Sequence, residues 1–345
     1  MDEKYQDSLK KDAMDASEFS GEVEDVAAKQ LFMTPGQIVA RQFFRNRLAI
    51  VGLVILVIAI LFCVVGPFLS PYSETEMFYL GADGQEVPKD VPNYSARISE
   101  SGARLNKRAE PDSVHLLGTT ELGHDMFTRL MYGGRVSLMV GFIVVFVELL
   151  LGVTLGGIAG YYGGWIDTII MRLVEIFNSI PFIPLMLIIS SVMINLKIPE
   201  GNKIYYTMVI MGVLYWAGVA RLVRGQILSL REMEYMQAAE AGGIRGSRKI
   251  MRHLIPNVMP QIIVMATMDL GGVILTESTM SYLGIGTSAM FASWGNMVQA
   301  VTSDVIMRNA PYLWIPPGLA ILFVVLAFNF VGDGLRDAFD PKMKR

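Results

Sequence analysis

Cysteine occurs once in the 345 residues, at Cys63 inside an apolar run, so no disulfide can form within the chain and the residue reads as filler. Histidine is almost as scarce, with three. His115 and His124 stand near Glu121 and Asp125, but the spacing is a weak metal pattern. Excess positive charge is missing too: the formal charge of −3 excludes a main role in nucleic-acid binding, which needs clustered surplus Lys and Arg. Neither HExxH nor GxSxG occurs, which removes the obvious intramembrane hydrolases. The phosphate loop GxxxxGK(S/T) is also absent, since "GGIRGSRK" (Gly242 to Lys249) has its composition without its spacing. No internal repeat is found of the kind that builds many secondary transporters. Charged residues are only 18% of the chain and hydrophobic residues 52%, far more apolar than a soluble domain of this length needs. The composition is that of an all-α polytopic membrane protein.

Six segments, near 48–66, 137–159, 168–194, 207–224, 259–283 and 312–332, are apolar enough to cross roughly 30 Å of hydrocarbon, which takes about 20 helical residues. Pro181 and Pro184 are expected to kink the third, and Asp269 and Glu277 fall in the fifth. Arg41, Arg45 and Arg47 precede the first span, which places the N-terminus in the cytoplasm. Six crossings return the C-terminus, with Arg336, Lys342, Lys344 and Arg345, to the same side, and the basic loop between spans four and five falls there as well. The expected organisation is an acidic cytoplasmic tail (1–40), an anchor and first span (41–66), an extracytoplasmic loop with an interfacial helix (67–136), a core of five spans (137–335) with an internal loop at 225–256, and a C-terminal cytoplasmic tail (336–345). The acid-rich stretch from Met1 to Ala28 cannot bury enough apolar surface to order itself. A signal peptide would begin with a basic region and a short apolar core; here the first apolar run is expected to be a retained anchor.

Within the outer segment, Gly, Pro and Ser without periodicity indicate a surface loop with at most a short hairpin. Leu122, Met126 and Leu130, four apart, then predict an amphipathic interfacial helix that Thr120 caps and Gly133-Gly134 stops. Gly152, Gly156 and Gly160 give the second span a face for close helix packing, with a partner as the expected neighbour. The 23 methionines suit an adaptable apolar surface and are read as core. Glu148, Glu175, Asp269 and Glu277 are costly at membrane depth unless paired or wet, and are candidates for a pathway or gate. The bland alternative is that Arg172 simply pairs with Glu175 and Glu277 sits at the outer edge.

In the internal loop, "REMEYMQAAEAGG" is a helix that Gly242-Gly243 should end, and Ser247 can cap a second one that should stop before Pro256. Met251, Leu254 and Ile255 would share one face, leaving Arg245, Arg248, Lys249 and Arg252 to meet lipid head groups or a partner. A plain basic interfacial loop fits the same spacing. Ala238, Ala239 and Gly243, however, leave a patch with almost no side chain, where another protein can approach the backbone.

Gln237-Ala238-Ala239, Gly243 after three residues, and His253-Leu254-Ile255-Pro256 after nine more resemble the cytoplasmic motif of binding-protein-dependent ABC importer permeases, Glu-Ala-Ala, three residues, Gly, nine residues, Ile-x-Leu-Pro. Gln237, His253 and Ile255 depart from it, and Glu234 and Glu240 stand about one turn either side as replacements for the missing acid. Blocks such as "LLGTTELGHDMFTRLMYGGRVSLMVG", "ESTMSYLGIGTSAMFASWGNM" and "PPGLAILFVVLAFNFVGDGLRDAFDP" are similar to the second permease of the oligopeptide, dipeptide and nickel branch, over about 38–76 and 111–342. The resemblance implies a type I importer permease of six transmembrane helices in a prokaryotic cell membrane. It implies no enzymatic activity or cofactor in the chain, because ATP and Mg belong to two partner ATPases. Its other partners would be a second permease, an extracytoplasmic substrate-binding protein and membrane lipid, with no nucleic acid. Peptide is the expected substrate; nickel or another small solute is the alternative, and a stand-alone channel or secondary transporter the remaining one. Glu234, Tyr235, Gln237, Ala238, Ala239, Gly243, Arg245 and Pro256 would then form the coupling helix and turn against an ATPase, and Glu277 would serve assembly or gating.

Overall fold

The computed structural model describes residues 34–81, 84–87, 103–286 and 291–340. The acid-rich tail, residues 82–83 and 88–102 of the outer segment, and the last three basic residues of the C-terminus lie outside them. A short helix α1 (Pro35–Phe43) leads to α2 (Arg47–Val64), the first span, and to a single turn α3 (Gly66–Leu69). Asn46 caps α2 by accepting the Leu48 and Ala49 N–H groups, and its Nδ2 reaches Asp337 Oδ2 at 3.1 Å. The first span therefore begins at the same end of the bundle at which the last one finishes. In the outer segment, β1 (Tyr79–Leu80) pairs antiparallel with β2 (Arg104–Leu105), the short hairpin that the loop composition allows.

The second span is longer than expected. Helix α4 (Met126–Tyr162) starts at Asp125, whose Oδ1 accepts the Thr128 N–H at 2.7 Å, and runs unbroken through Gly133-Gly134. Thr120 is not its cap, and no separate interfacial helix precedes it. The two glycines make room instead of ending the helix: a Cβ on Gly134 would lie 2.3 Å from Cys63 Sγ and 2.4 Å from the Trp294 ring. Trp294 donates its indole N–H to the Leu130 carbonyl at 2.9 Å. Tertiary packing overrides the local stop signal here.

The third span is a bent pair, α5 (Gly164–Ser179) and α6 (Phe182–Asn195), at 82° to one another. Pro181 forces the break by holding Ile180 extended (φ −81°, ψ 122°). Pro184 adds no kink, because it lies in the first turn of α6, where a missing N–H is tolerated. Helix α7 (Glu200–Arg231) follows, then the short α8 (Glu234–Ala241), and α9 (Gly246–Lys249), which passes through a π turn at Ile250–Leu254 into α10 (Ile255–Tyr282). At the end of the bundle away from Asn46 and Asp337 lie α11 (Trp294–Val298) and α12 (Asp304–Asn309), and α13 (Ile315–Phe339) closes the bundle. Among the described residues, five helices are long and apolar enough to cross a membrane, six if the bent pair counts as one span.

α7 packs along α4. The face built by Gly152, Gly156 and Gly160 is occupied within the chain, not by a partner: a Cβ on Gly156 would lie 2.5 Å from the Ala220 carbonyl oxygen, and one on Gly152 would lie 2.4 Å from Val219 Cβ. Val219, Ala220, Val223 and Ile227 on α7 are fully buried as a result. On the opposite side, α2 rests on α13, with Ala49, Leu56 and Cys63 against Val324, Ala327 and Val331.

The outer segment is tied to the start of α4 by histidine. His115 is buried against the rings of Phe78 and Tyr72, with Nδ1 2.9 Å from Asp125 Oδ2 and Nε2 3.1 Å from Glu86 Oε2. Burial opposes its charge, but the bond to Asp125 and the charge of Glu86 outweigh it and hold its pKa above the ordinary value. His124 is equally buried and donates Nδ1–H to the Glu76 carbonyl at 2.8 Å. Burial, helped by the Arg129 charge, pushes its pKa down to about 4. The two histidines sit in separate pockets of bonding, and no cluster of three potential metal ligands occurs among the described residues.

Two outcomes are expected. Gly156→Val should lower the midpoint of thermal unfolding in detergent by the equivalent of about 1–3 kcal/mol, since the α4–α7 seam cannot accept the added atoms; an unchanged midpoint contradicts the seam. The depressed pKa of His124 makes its contribution to stability complete above about 6.5 and lost as pH falls through about 4. His115 has the opposite sign, losing its contribution as pH rises through its elevated pKa. Replacing His124 by Gln should therefore flatten the loss of thermal midpoint between pH 6.5 and 4, and an identical slope in the variant contradicts the assignment.

Candidate functional site

The basic internal loop becomes a compact helix, turn and helix at the end of the bundle that carries Asn46 and Asp337. In α8, Met236 and Ala239, three apart, are buried and join Ile227, Ile250, Leu254 and Val258. This inward face turns Glu234, Tyr235, Gln237, Ala238 and Ala241 outward. The helix ends as its glycines predict. Gly243 takes φ 68°, its N–H bonds to the Glu240 carbonyl at 2.9 Å, and the Ile244 N–H reaches the Ala239 carbonyl at 3.1 Å, a Schellman turn. Nothing lies within 4 Å of where a Gly243 Cβ would stand.

The small-residue patch differs from the expected one in a single member. Ala239 lies beneath the helix, so the open surface is Tyr235, Ala238, Ala241 and Gly242-Gly243, with Arg245 exposed beyond the turn. Gln237, which stands where the family motif has Glu, folds its Nε2 back on the Glu232 carbonyl at 3.3 Å. Of the two nearby acids, Glu234 is exposed in the first turn, while Glu240 Oε1 stands 3.7 Å from Lys249 Nζ.

The second helix departs from expectation in three ways. Arg245 occupies the N-cap position and Ser247 makes no cap bond; Gly246 lies against Tyr161, where a Cβ would be 3.0 Å from the ring. The helix does not stop at Pro256. The π turn widens the hydrogen-bond register just before the proline withholds its N–H, and Asn257 Nδ2 takes the His253 carbonyl at 2.6 Å, so the chain runs on into α10. Finally, the buried face is Ile250, Leu254 and Val258, Met251 is 67% exposed, and Lys249 is buried instead of facing the head groups. Lys249 Nζ lies over the Tyr161 ring, 5.5 Å from its centroid, and Arg231 Nη1 donates to the Tyr161 carbonyl at 3.0 Å. Tyr161, at the inner end of α4, thus receives one cation from each side of the loop. Sequence reasoning missed it, and no local pattern signals a contact across 70 residues.

The four intramembrane acids separate. Glu175 is exposed and pairs with Arg172 at 2.8 Å. Glu277 is buried in a polar network at the outer end: it accepts Ser137 Oγ at 3.1 Å and Ser281 Oγ at 2.7 Å, and Ser137 in turn meets the Trp294 N–H at 3.3 Å. Glu148 on α4 and Asp269 on α10 come within Coulomb range of each other, and Tyr215 of α7, bonded to Thr276 of α10, lies within the same range of Glu148. Among the described residues no donor reaches Glu148 Oε2 or Asp269 Oδ2, although both oxygens are buried. At the inner end Arg224 and Asp167 make a two-bond pair, 2.5 Å in each arm, that ties α5 to α7.

Comparison with known proteins shows the family. Residues 152–345 match the family described as the binding-protein-dependent transport system inner membrane component, and residues 34–88 match the N-terminal TM domain of oligopeptide transport permease C. The dipeptide transport system permease protein DppC of Alkalihalophilus pseudofirmus is 37% identical over 314 residues, 90% of this chain and 91% of that protein. The oligopeptide transport system permease protein OppC of Bacillus subtilis is 34% identical over 329 residues, covering 94% and 95%. The OppC of Haemophilus influenzae is 34% identical over 302 residues, covering 88% and 87%. The chain therefore belongs to the family of inner membrane components of binding-protein-dependent transport systems.

Proposed function

We propose that this chain is one of two permease subunits of an ATP-driven importer for dipeptides or oligopeptides, and that α8 with its Schellman turn is the element through which ATPases drive it. The observation that carries the reading is the two-faced α8. Its inner face is locked to the bundle by Met236 and Ala239, its outer face exposes Tyr235, Ala238, Ala241 and Gly242-Gly243, and a Cβ on Gly243 would meet nothing within 4 Å. An exposed surface of small residues on a rigid support lets a second protein seat against backbone. The peptide substrate rests on the relatives, all three of which carry dipeptide or oligopeptide transport in their names.

The end of the bundle bearing Arg41, Arg45, Arg47, Arg231, Arg245, Arg248, Arg252 and Arg336 is the cytoplasmic one by the positive-inside rule. Both termini then face the cytoplasm, and the His115 and His124 region faces the binding protein outside. Nucleotide-driven closure of the ATPases moves α8 as a body. Lys249, Arg231 and Tyr161 pass that motion to α4, α7 and α10, and the bundle alternates between inward-open and outward-open states.

Ala238→Trp puts bulk on the outer face without touching the buried one. It should abolish co-purification of the ATPases while leaving the chain inserted and paired with the second permease; normal co-purification contradicts the seating surface. This substitution is cleaner than one at Gly243, where any side chain also strains the left-handed turn.

A further inference from the structure

We propose that Glu148 and Asp269, flanked by Tyr215, form a cation-binding subsite in the translocation pathway that takes the ammonium group of the transported peptide. The inference rests on the importer reading above and adds a place and a chemistry for substrate contact. Glu148 is 4% exposed, and its Oε2 is buried without a hydrogen-bond donor among the described residues. Asp269 Oδ2, on a different helix and close enough for its charge to act on Glu148, is in the same state. Two carboxyl groups converging at membrane depth with orphaned oxygens are a costly arrangement unless a positive group completes them.

Other acids show what completion looks like. Glu277 has its two serine donors, Asp167 has Arg224, and Glu175 has Arg172. Tyr215, an uncharged hydroxyl bonded to Thr276, lies within Coulomb range of Glu148. The surroundings are open on one side. Gly272 and Gly218 are exposed, and a Cβ on Gly272 would meet nothing within 4 Å. Those two glycines stand on α7 and α10, which touch each other only slightly. Two orphaned carboxyl groups beside exposed glycines suit a zwitterionic peptide, whose α-ammonium is the positive group that every such peptide carries.

The test uses the complete importer in lipid nanodiscs, without ATP or binding protein, so that peptide enters from the inner side. A hydrophobic carbodiimide labels Glu148 and Asp269, and mass spectrometry follows the rate. Alanyl-alanine at millimolar concentration should slow labelling of both residues, and N-acetyl-alanyl-alanine should not. Equal effects of the two peptides overturn the proposal. So does labelling that peptide leaves unchanged but that the second permease blocks, because a basic side chain of that subunit then holds the pair. In liposomes with loaded binding protein, Glu148→Gln should cut peptide uptake at least about tenfold while binding-protein-stimulated ATP hydrolysis persists, and Glu148→Asp should restore most of it. Undiminished uptake in Glu148→Gln also overturns the subsite. Loss of stimulated hydrolysis in the unaltered importer would instead count against the importer reading.

Discussion

The close seam between α4 and α7 is the constraint on which the rest of the structure depends. Three glycines on α4 bring its backbone against Val219 and Ala220, and van der Waals contact at that distance replaces the hydrophobic drive that lipid does not supply between helices. Once the two helices are held at that spacing, the outer start of α4 positions the His115 assembly through Asp125, and the inner end of α4 positions the internal loop through Tyr161. α10 then packs on α4, α13 packs on α10 and α2, and Trp294 with the Glu277 network fills the junction beside them.

This arrangement gives the loop its mechanical character. A lone basic loop on a membrane surface would move independently of the spans. Here the inner ends of three helices are bonded to one another: Arg231 and Lys249 converge on Tyr161, Asn257 reaches Tyr235 at 3.5 Å, and Arg224 holds Asp167. Force applied to α8 therefore reaches α4, α7 and α10 together, which is what a rigid-body transition requires. The acids are divided as well, with the satisfied Glu277 beside the Trp294 junction and the unsatisfied Glu148 and Asp269 on α4 and α10.

Much of this was legible in the sequence because membranes impose simple rules. Span length, the proline break at Pro181, the glycine face of α4 and the left-handed Gly243 all follow from local backbone and packing requirements. What the sequence concealed depended on distant partners. Gly133-Gly134 read as a stop until Cys63 and Trp294 filled the space beside them. Lys249 read as solvated because Tyr161, which takes its charge, is far away along the chain. Pro256 read as a terminator because nothing local announces a π turn. Ala239 and Met251 were assigned to the wrong faces, each because the helix phase shifts by one residue once Met236, Ile250 and Leu254 choose the buried side.

The central claim is that the inner end of this bundle is built to seat a nucleotide-driven partner beneath a two-permease pathway. Native mass spectrometry of the chain gently extracted from its own membranes tests it most directly. The account predicts an assembly of this chain with one copy of a second permease and two ATPase subunits. A chain that runs alone or as a homo-oligomer, and still moves peptide without ATP, would contradict it.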